Sequence, residues 1–198
     1  SELVKNCGID MTECSLIEEN GRAHFLTKRF DRENGRKIHM QTLCGMAHYD
    51  FRLKNGHSYE QAFNVMRRLR LPYSQAQEMF RRIVFNVVVR NQDDHTKNIS
   101  FLMDSSGQWS LSPAYDMGFA YNPLGAWTAT HQMSINGKFD NITRADLLSL
   151  ANANNIKNAS EIIDQVCETT AGWPELAKNC GVPQKMIDGI VPYMLLSI

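Results

Sequence analysis

Two hydrophobic patterns divide the chain, and they meet near residue 40. Before that point Ser15–Glu19 and Arg22–Lys28 have strand character, with Phe25 and Leu26 fitting the second strand. Asn20-Gly21 joins them, a dipeptide that takes the positive φ angles of a type I′ turn. Glu2–Cys7 ahead of them can form a short helix, and Gly8 supplies its stop. A hairpin of two strands is marginal by itself. The N-terminal piece is therefore expected to need a sheet or a partner.

After residue 40 the period is helical. Ser58-Tyr59-Glu60-Gln61 and Ser74-Gln75-Ala76-Gln77 both have the form of a capping box, in which a hydroxyl and an amide satisfy free helical N–H groups. The first predicts a helix ending near Leu71-Pro72. The second predicts a longer helix whose Phe80, Ile83, Val84, Val87 and Val88 recur at i, i+3, i+4, i+7 and i+8, a stripe that must be buried. Valines are poor intrinsic helix formers. Burial has to hold this helix, which predicts it at the centre of the helical part.

Two short strands follow, Ile99–Met103 and Gln108–Leu111, with Asp104-Ser105-Ser106-Gly107 as their turn. Residues 112–142 read as irregular, a long loop of the kind that often carries function. Helices are expected again from Thr143, from Ser160 and near Pro183–Leu196, with Pro174 bending or restarting the chain. The fold class is mainly α with a small β component (α+β). The division is residues 1–32 as a small β piece and 33–198 as a helical body.

Charge changes this picture little. Lys+Arg and Asp+Glu are 21 each, so the 198 residues carry no net charge, which argues against a basic nucleic-acid grip over the whole chain. Arg67-Arg68 and Arg81-Arg82 read as solvated helix faces. No apolar run approaches the roughly 18–20 residues of a membrane span, and no secretory signal opens the sequence, so no membrane role is expected and the cytoplasm is the expected location. The five cysteines are odd in number and lack metal-knuckle spacing, which predicts reduced, mostly buried thiols.

The chemistry concentrates between Val89 and Asp116. A buried helix ends, and Asp93-Asp94-His95-Thr96-Lys97-Asn98 follows. A hairpin then returns the chain to Leu111-Ser112-Pro113-Ala114-Tyr115-Asp116. Because a hairpin closes on itself, Asn98 and Asp116 at its ends are expected to be neighbours. An amide oxygen beside a carboxylate is a hard-oxygen pair suited to Mg²⁺ on phosphate. Asp93 and Asn98 also have the D-x-x-x-x-N spacing of a protein-kinase phosphoryl-transfer loop, with Asp116 where a second metal-holding carboxylate would stand. The H-R-D and D-F-G spellings are absent.

These residues also carry a family resemblance. Asp93-Asp94-His95-Thr96-Lys97-Asn98 and Leu111-Ser112-Pro113-Ala114-Tyr115-Asp116 resemble the D-x-H-x-K-N and L-x-P-x-Y-D signatures of the HipA family, the serine/threonine-kinase toxins of bacterial toxin–antitoxin pairs. Arg29-Phe30-Asp31-Arg32 resembles that family's R-F-D-R at the strand joining the lobes. The likeness runs from Leu3 to about Leu150. It implies a kinase-like C-lobe of packed helices with a catalytic hairpin, and a remnant N-lobe hairpin over residues 1–32. It implies Asp93 as general base, Asn98 and Asp116 as holders of Mg²⁺ and the phosphates of ATP, and His95, Lys97 and Tyr115 as nucleotide-pocket residues. Lys28, Arg29 and Phe30 would form the hinge at the adenine edge. The implied target is a protein hydroxyl on a translation component such as an aminoacyl-tRNA synthetase. The implied partner is a DNA-binding antitoxin, with DNA reached only through it.

The sequence departs from that pattern in one respect. Nothing in it approximates the Gly-rich loop, and no strand lysine fits the phosphate grip. Lys28 imitates such a lysine, but Arg29-Phe30-Asp31-Arg32 fits the hinge better. The expectation is an N-terminally incomplete kinase core that binds ATP weakly and transfers phosphate poorly alone. Two other classes stand beside it. One is a non-catalytic binding module for an antitoxin or regulator. The other is a metal phosphohydrolase or nuclease built from Asp93, Asp94, His95 and Asp116.

Overall fold

The computed structural model describes all 198 residues, Ser1–Ile198. Helix α1 (Glu2–Asn6) ends ahead of Gly8, whose φ of +76° reverses the chain. Strands β1 (Cys14–Glu19) and β2 (Arg22–Thr27) pair antiparallel, Cys14 opposite Thr27. Asn20 and Gly21 between them both have positive φ, as the type I′ turn requires. A second hairpin, β3 (Arg32–Glu33) with β4 (Arg36–Lys37), turns through Asn34-Gly35 in the same conformation. Strand β5 (His39–Thr42) leads into helix α2 (Leu43–Ala47). Strand β6 (His57–Ser58) leads into α3 (Tyr59–Arg68). Helix α4 (Tyr73–Val88) is the longest, and the hairpin β7 (Ser100–Met103) with β8 (Trp109–Leu111) follows it. Strand β9 (Met133–Ser134) pairs parallel to β6. Helices α5 (Arg144–Ala153), α6 (Ala159–Ala171), α7 (Trp173–Asn179) and α8 (Gln184–Ile190) complete the chain, with one 3₁₀ turn at Val191–Tyr193.

The expected α+β class, a helical body with a small β component, is what the fold shows. Helix α4 lies in the core. Phe80, Ile83, Val84, Val87 and Val88 are all fully buried, and α6 packs along them. Each such side chain contributes roughly 1.5–3 kcal/mol on burial. The helix-propensity deficit of a valine is at most about 0.7 kcal/mol, so packing decides the conformation. The capping boxes at Ser58–Gln61 and Thr143–Asp146 both form. Val4, Cys7 and Ile9, around α1, sit in the same core as the helices. The β1–β2 hairpin stands apart, exposed along nearly its whole length.

Four local expectations need correction. Ser74 does not cap α4: Pro72, with φ −67° and ψ 158°, already sets the helix entry, so Ser74 lies inside the first turn. Gln77 instead donates to Asn158 Oδ1 (2.6 Å). Helix α3 stops at Arg68 rather than near Leu71-Pro72, because Arg70 takes φ +56°. Arg82 is not solvated. It is buried, donating to Glu78 Oε1 (2.7 Å) and to the Ser112 carbonyl (2.9 Å), which ties α4 to the segment after β8. Of the thiols only Cys7 and Cys167 are buried, and Cys180 is exposed, though all five are free. Burial pushes the Cys7 thiol up to about 11, against a weaker pull from Thr170. No helix is long and apolar enough to cross a membrane.

Candidate functional site

The segment between α4 and β7 is built as a clamped loop. Arg90 leaves the helix through φ +52°. Asn91 then donates to Asn86 Oδ1 (2.9 Å) and to the Asp116 carbonyl (3.3 Å), and Gln92 N–H donates to the Ala120 carbonyl (3.2 Å). On the other side Cys44 N–H reaches the Thr96 carbonyl (3.0 Å) and Leu43 N–H the Ile99 carbonyl (2.8 Å), so α2 begins against this loop. Strand β5 pairs with β7, His39 opposite Met103, which makes β7 the centre of a three-stranded sheet.

Asp94 is the hub. It is only 2% exposed and accepts from Tyr59 Oη (2.7 Å), from the Gln132 N–H (2.7 Å) and from His131 Nδ1 (2.8 Å). Tyr59 Oη also accepts from Asn86 Nδ2 (3.0 Å). Burial and the adjacent carboxylate hold the Tyr59 hydroxyl well above the ordinary phenol range, so it stays a donor. A buried carboxylate whose oxygens accept from three donors is a structural anchor. Neither Tyr59 nor His131 was a candidate from the sequence. The pairing spans 37 positions between Asp94 and His131 and leaves no local pattern.

The hairpin brings Asn98 and Asp116 onto one narrow cleft of about 20 Å³, which His95, Asn91 and Tyr115 also line. Asn98 Nδ2 donates to the Asp93 carbonyl (2.9 Å), leaving its amide oxygen as a free acceptor. Asp116 adopts φ +54°, a left-handed conformation unusual for any residue but Gly, and this kink turns the chain after β8. The Tyr115 hydroxyl bonds Ser100 Oγ and donates to the Lys97 carbonyl (2.5 Å), so it braces both ends of the hairpin. Burial raises it against the pull of Ser100.

Asp93 opens on a second cleft with Phe51, Arg52, Trp127 and Gln132; His95 lines both clefts. The His95 Nδ1 is buried without a partner. Lys97 lies elsewhere than the nucleotide-pocket expectation put it. Its amine sits over the Phe51 ring, 3.5 Å from the centroid, instead of on the Asn98–Asp116 cleft. Lys28, Arg29 and Phe30 line a third, separate groove. Lys28 pairs with Glu13 at 3.6 Å in solvent, and Arg29 makes a two-bond fork to Asp31 (2.8 and 2.6 Å). Phe30 alone bridges toward the hairpin, its ring 5.6 Å from Tyr115.

Chemically, the Asn98–Asp116 cleft offers one amide and one carboxylate oxygen. Mg²⁺ keeps several waters and phosphate oxygens and needs only one or two protein ligands, so this donor set fits it. No cluster of three or more His, Cys, Asp or Glu side chains is placed to hold a metal ion. With Asp94 consumed by its three donors, the phosphohydrolase alternative lacks its ligand set.

Residues 1–173 match the family described as the HipA-like C-terminal domain. A "Putative kinase" of Haemophilus influenzae is 30% identical over 130 residues, 58% of this chain and 37% of that protein. "Putative kinase Y4dM" of Sinorhizobium fredii is 27% identical over 209 residues, 95% of this chain and 50% of that protein. Among solved structures, HipA of Shewanella oneidensis, in complex with HipB and operator DNA, superposes with a TM-score of 0.69 at 21% identity, over 87% of this chain and 45% of that one. The Helicobacter pylori proinflammatory kinase CtkA superposes with a TM-score of 0.55 at 12% identity, over 84% and 72%. The chain spans half or less of the length of these curated relatives. The match over residues 1–173, most of the chain, assigns it to the HipA-like C-terminal domain family.

Proposed function

We propose that this chain is the Mg-ATP-binding core of a protein kinase that phosphorylates a serine or threonine hydroxyl. One observation carries the reading. Asn98 and Asp116 share a cleft, Asp93 faces the adjoining one, and His95 stands between the two. Asn98 Oδ1 and the Asp116 carboxylate would hold Mg²⁺, which supplies charge neutralisation at the transferred phosphoryl group. Asp93 would orient the acceptor hydroxyl and take its proton. Positioning and electrostatics then account for most of the acceleration.

The phosphate grip is the weak element in these residues. Lys28 and Lys97 both point away from the Asn98–Asp116 cleft, and the Arg82 guanidinium that borders it is occupied by Glu78 and the Ser112 carbonyl. These 198 residues alone should therefore bind Mg-ATP weakly and transfer phosphate poorly. The same observation supports a second reading, a kinase-like module that binds a partner without catalysis. The likeness to a HipA in complex with HipB and DNA supports a DNA-binding antitoxin as that partner; a translation component as substrate rests on the resemblance of the signature residues alone.

Calorimetric titration with ATP separates the readings. A Mg²⁺-dependent heat that Asn98→Ala and Asp116→Asn each abolish supports the kinase core. Phosphoryl transfer by the complete natural protein should disappear in Asp93→Gln, which keeps the fold. Absence of Mg-dependent heat in the wild type leaves the binding module.

A further inference from the structure

The proposed function gives the cleft on which Asp93 opens a general base but says nothing of its other walls, which are well specified. Its floor is Asp93 and His95; its sides are Phe51 and Arg52 from one loop and Trp127 and Gln132 from another. Trp127 is 52% exposed. An indole half in water is normally a mobile feature, but this loop is pinned at several points. Gln132 N–H is held by buried Asp94, and the Gln132 side-chain amide donates to the Trp127 carbonyl. Lys54 donates to the Ala126 carbonyl (2.9 Å), which ties the two loops together. The Gln92 amide faces the Thr128 and Ala129 carbonyls, 2.9 and 3.1 Å away. The buried carboxylate beside Asp93 thus fixes an exposed aromatic ring next to it.

Charge adds direction. Arg52 lines this opening, Lys97 sits over the Phe51 ring and Lys54 bonds the Ala126 carbonyl, with Asp50 as the counter-charge of Arg52. Arg52 contacts Asp50 through 3.1 and 3.2 Å bonds in solvent, a surface pair that an incoming carboxylate can displace.

We infer that this cleft is the acceptor site, and that it takes an extended peptide segment with an apolar side chain beside the serine or threonine and an acidic side chain flanking it. The inference rests on the kinase reading and names its substrate class. The apolar side chain would pack on Trp127 and Phe51, and the acidic one would meet Arg52. The hydroxyl oxygen would then form its bond to the γ-phosphorus as the bond to the β,γ-bridging oxygen breaks. The hydroxyl proton passes to the Asp93 carboxylate, and the bridging oxygen departs with the electron pair as ADP. Nucleotide and acceptor would enter by different clefts and meet at His95.

The test uses the complete natural protein and three synthetic serine peptides, with Leu/Glu, Leu/Lys or Ala/Ala around the serine. The wild type should phosphorylate the Leu/Glu peptide with the lowest KM. Trp127→Ala should raise that KM about tenfold while leaving the KM for ATP within about twofold, a split that general misfolding would not give. Arg52→Glu should reverse the preference between the Glu and Lys peptides. Transfer that persists with unchanged peptide KM in both variants overturns the acceptor assignment and leaves the kinase intact. Absence of Mg-ATP binding and of transfer to any peptide in the wild type overturns both together.

Discussion

Two of the molecule's hairpins, β1–β2 and β7–β8, have opposite fates. The β1–β2 hairpin has six paired positions and a favourable Asn-Gly turn, yet Leu16, Ile17, Phe25 and Leu26 all remain exposed. The β7–β8 hairpin has three paired positions and a longer turn, yet Phe101 is fully buried and β5 covers the other edge. Local turn chemistry is at least as good in the first. What differs is the third strand and the helix beneath the second. Turn chemistry therefore specifies that a hairpin forms, and packing specifies whether it can hold a site in place. The residues proposed for chemistry flank the packed hairpin.

The sharpest way to break this comparison is to truncate one phenylalanine in each. Phe101→Ala should lose about 4 kcal/mol of unfolding free energy. Phe25→Ala should change it by less than about 0.5 kcal/mol. Urea denaturation followed by far-UV circular dichroism measures both, and equal losses would mean the exposed hairpin is packed in solution.

Next in size is the anchor behind the second hairpin. Asp94→Asn leaves Tyr59, His131 and the Gln132 N–H competing for one acceptor, and should cost about 3 kcal/mol. Hydrogen exchange should show the loss spreading to residues 127–134. A change confined to the Asp94 loop would show that the Trp127 loop is held by other contacts.

Smaller effects come from the turns. Gly107 and Gly21 both have positive φ, +84° and +73°, with open space where a Cβ would go, so alanine at either introduces backbone strain alone. Gly107→Ala should lower global stability by about 1 kcal/mol. Gly21→Ala should leave the melting temperature unchanged and only speed amide exchange in β1 and β2, because that hairpin opens separately from the core.

The smallest is electrostatic. Hydrogen bonds from Arg29, with the charges of Arg29 and Arg32, hold the Asp31 carboxyl down to about 2 against a smaller cost of burial. For Asp146 burial is the largest influence and pushes upward, but Lys138 and the Thr143 cap together bring it to about 2. Both folded values lie below the unfolded carboxylate value of about 3.9. Their stabilisation is thus complete above about pH 4 and is lost as the pH falls toward 2. Carboxyl NMR titration should find both depressed at low salt. In 1 M salt Asp31 should move toward the ordinary range, since its arginines are exposed, while Asp146, capped by backbone and hydroxyl donors, should move less.

How much of this was legible in the residues follows the same division between local and distant causes. The β1–β2 turn, the Ser58 capping box and the α4 stripe are encoded within a few positions each, and all were readable. Strand β5 was not, because four residues without alternation become a strand only when β7 lies beside them. The Ser74 box failed because Pro72, two positions earlier, outweighed it. Arg82 looked like surface because charge dominates its pattern, while Glu78 and a carbonyl thirty positions away accommodate it inside. In the candidate site, the Asn98–Asp116 juxtaposition followed from hairpin geometry. The Asp94–His131 pair and the displaced Lys97 depend on tertiary neighbours that no spacing records.

The kink at Asp116 has a consequence for how this gene would change over time. An acidic side chain on a left-handed backbone is less comfortable there than glycine by about 1 kcal/mol. Under the proposed function, folding and phosphate chemistry would pull this codon in opposite directions. A lineage released from the need for a negative charge would gain robustness by trading it for glycine, so the identity found at this one position across descendants can serve as a gauge of retained activity.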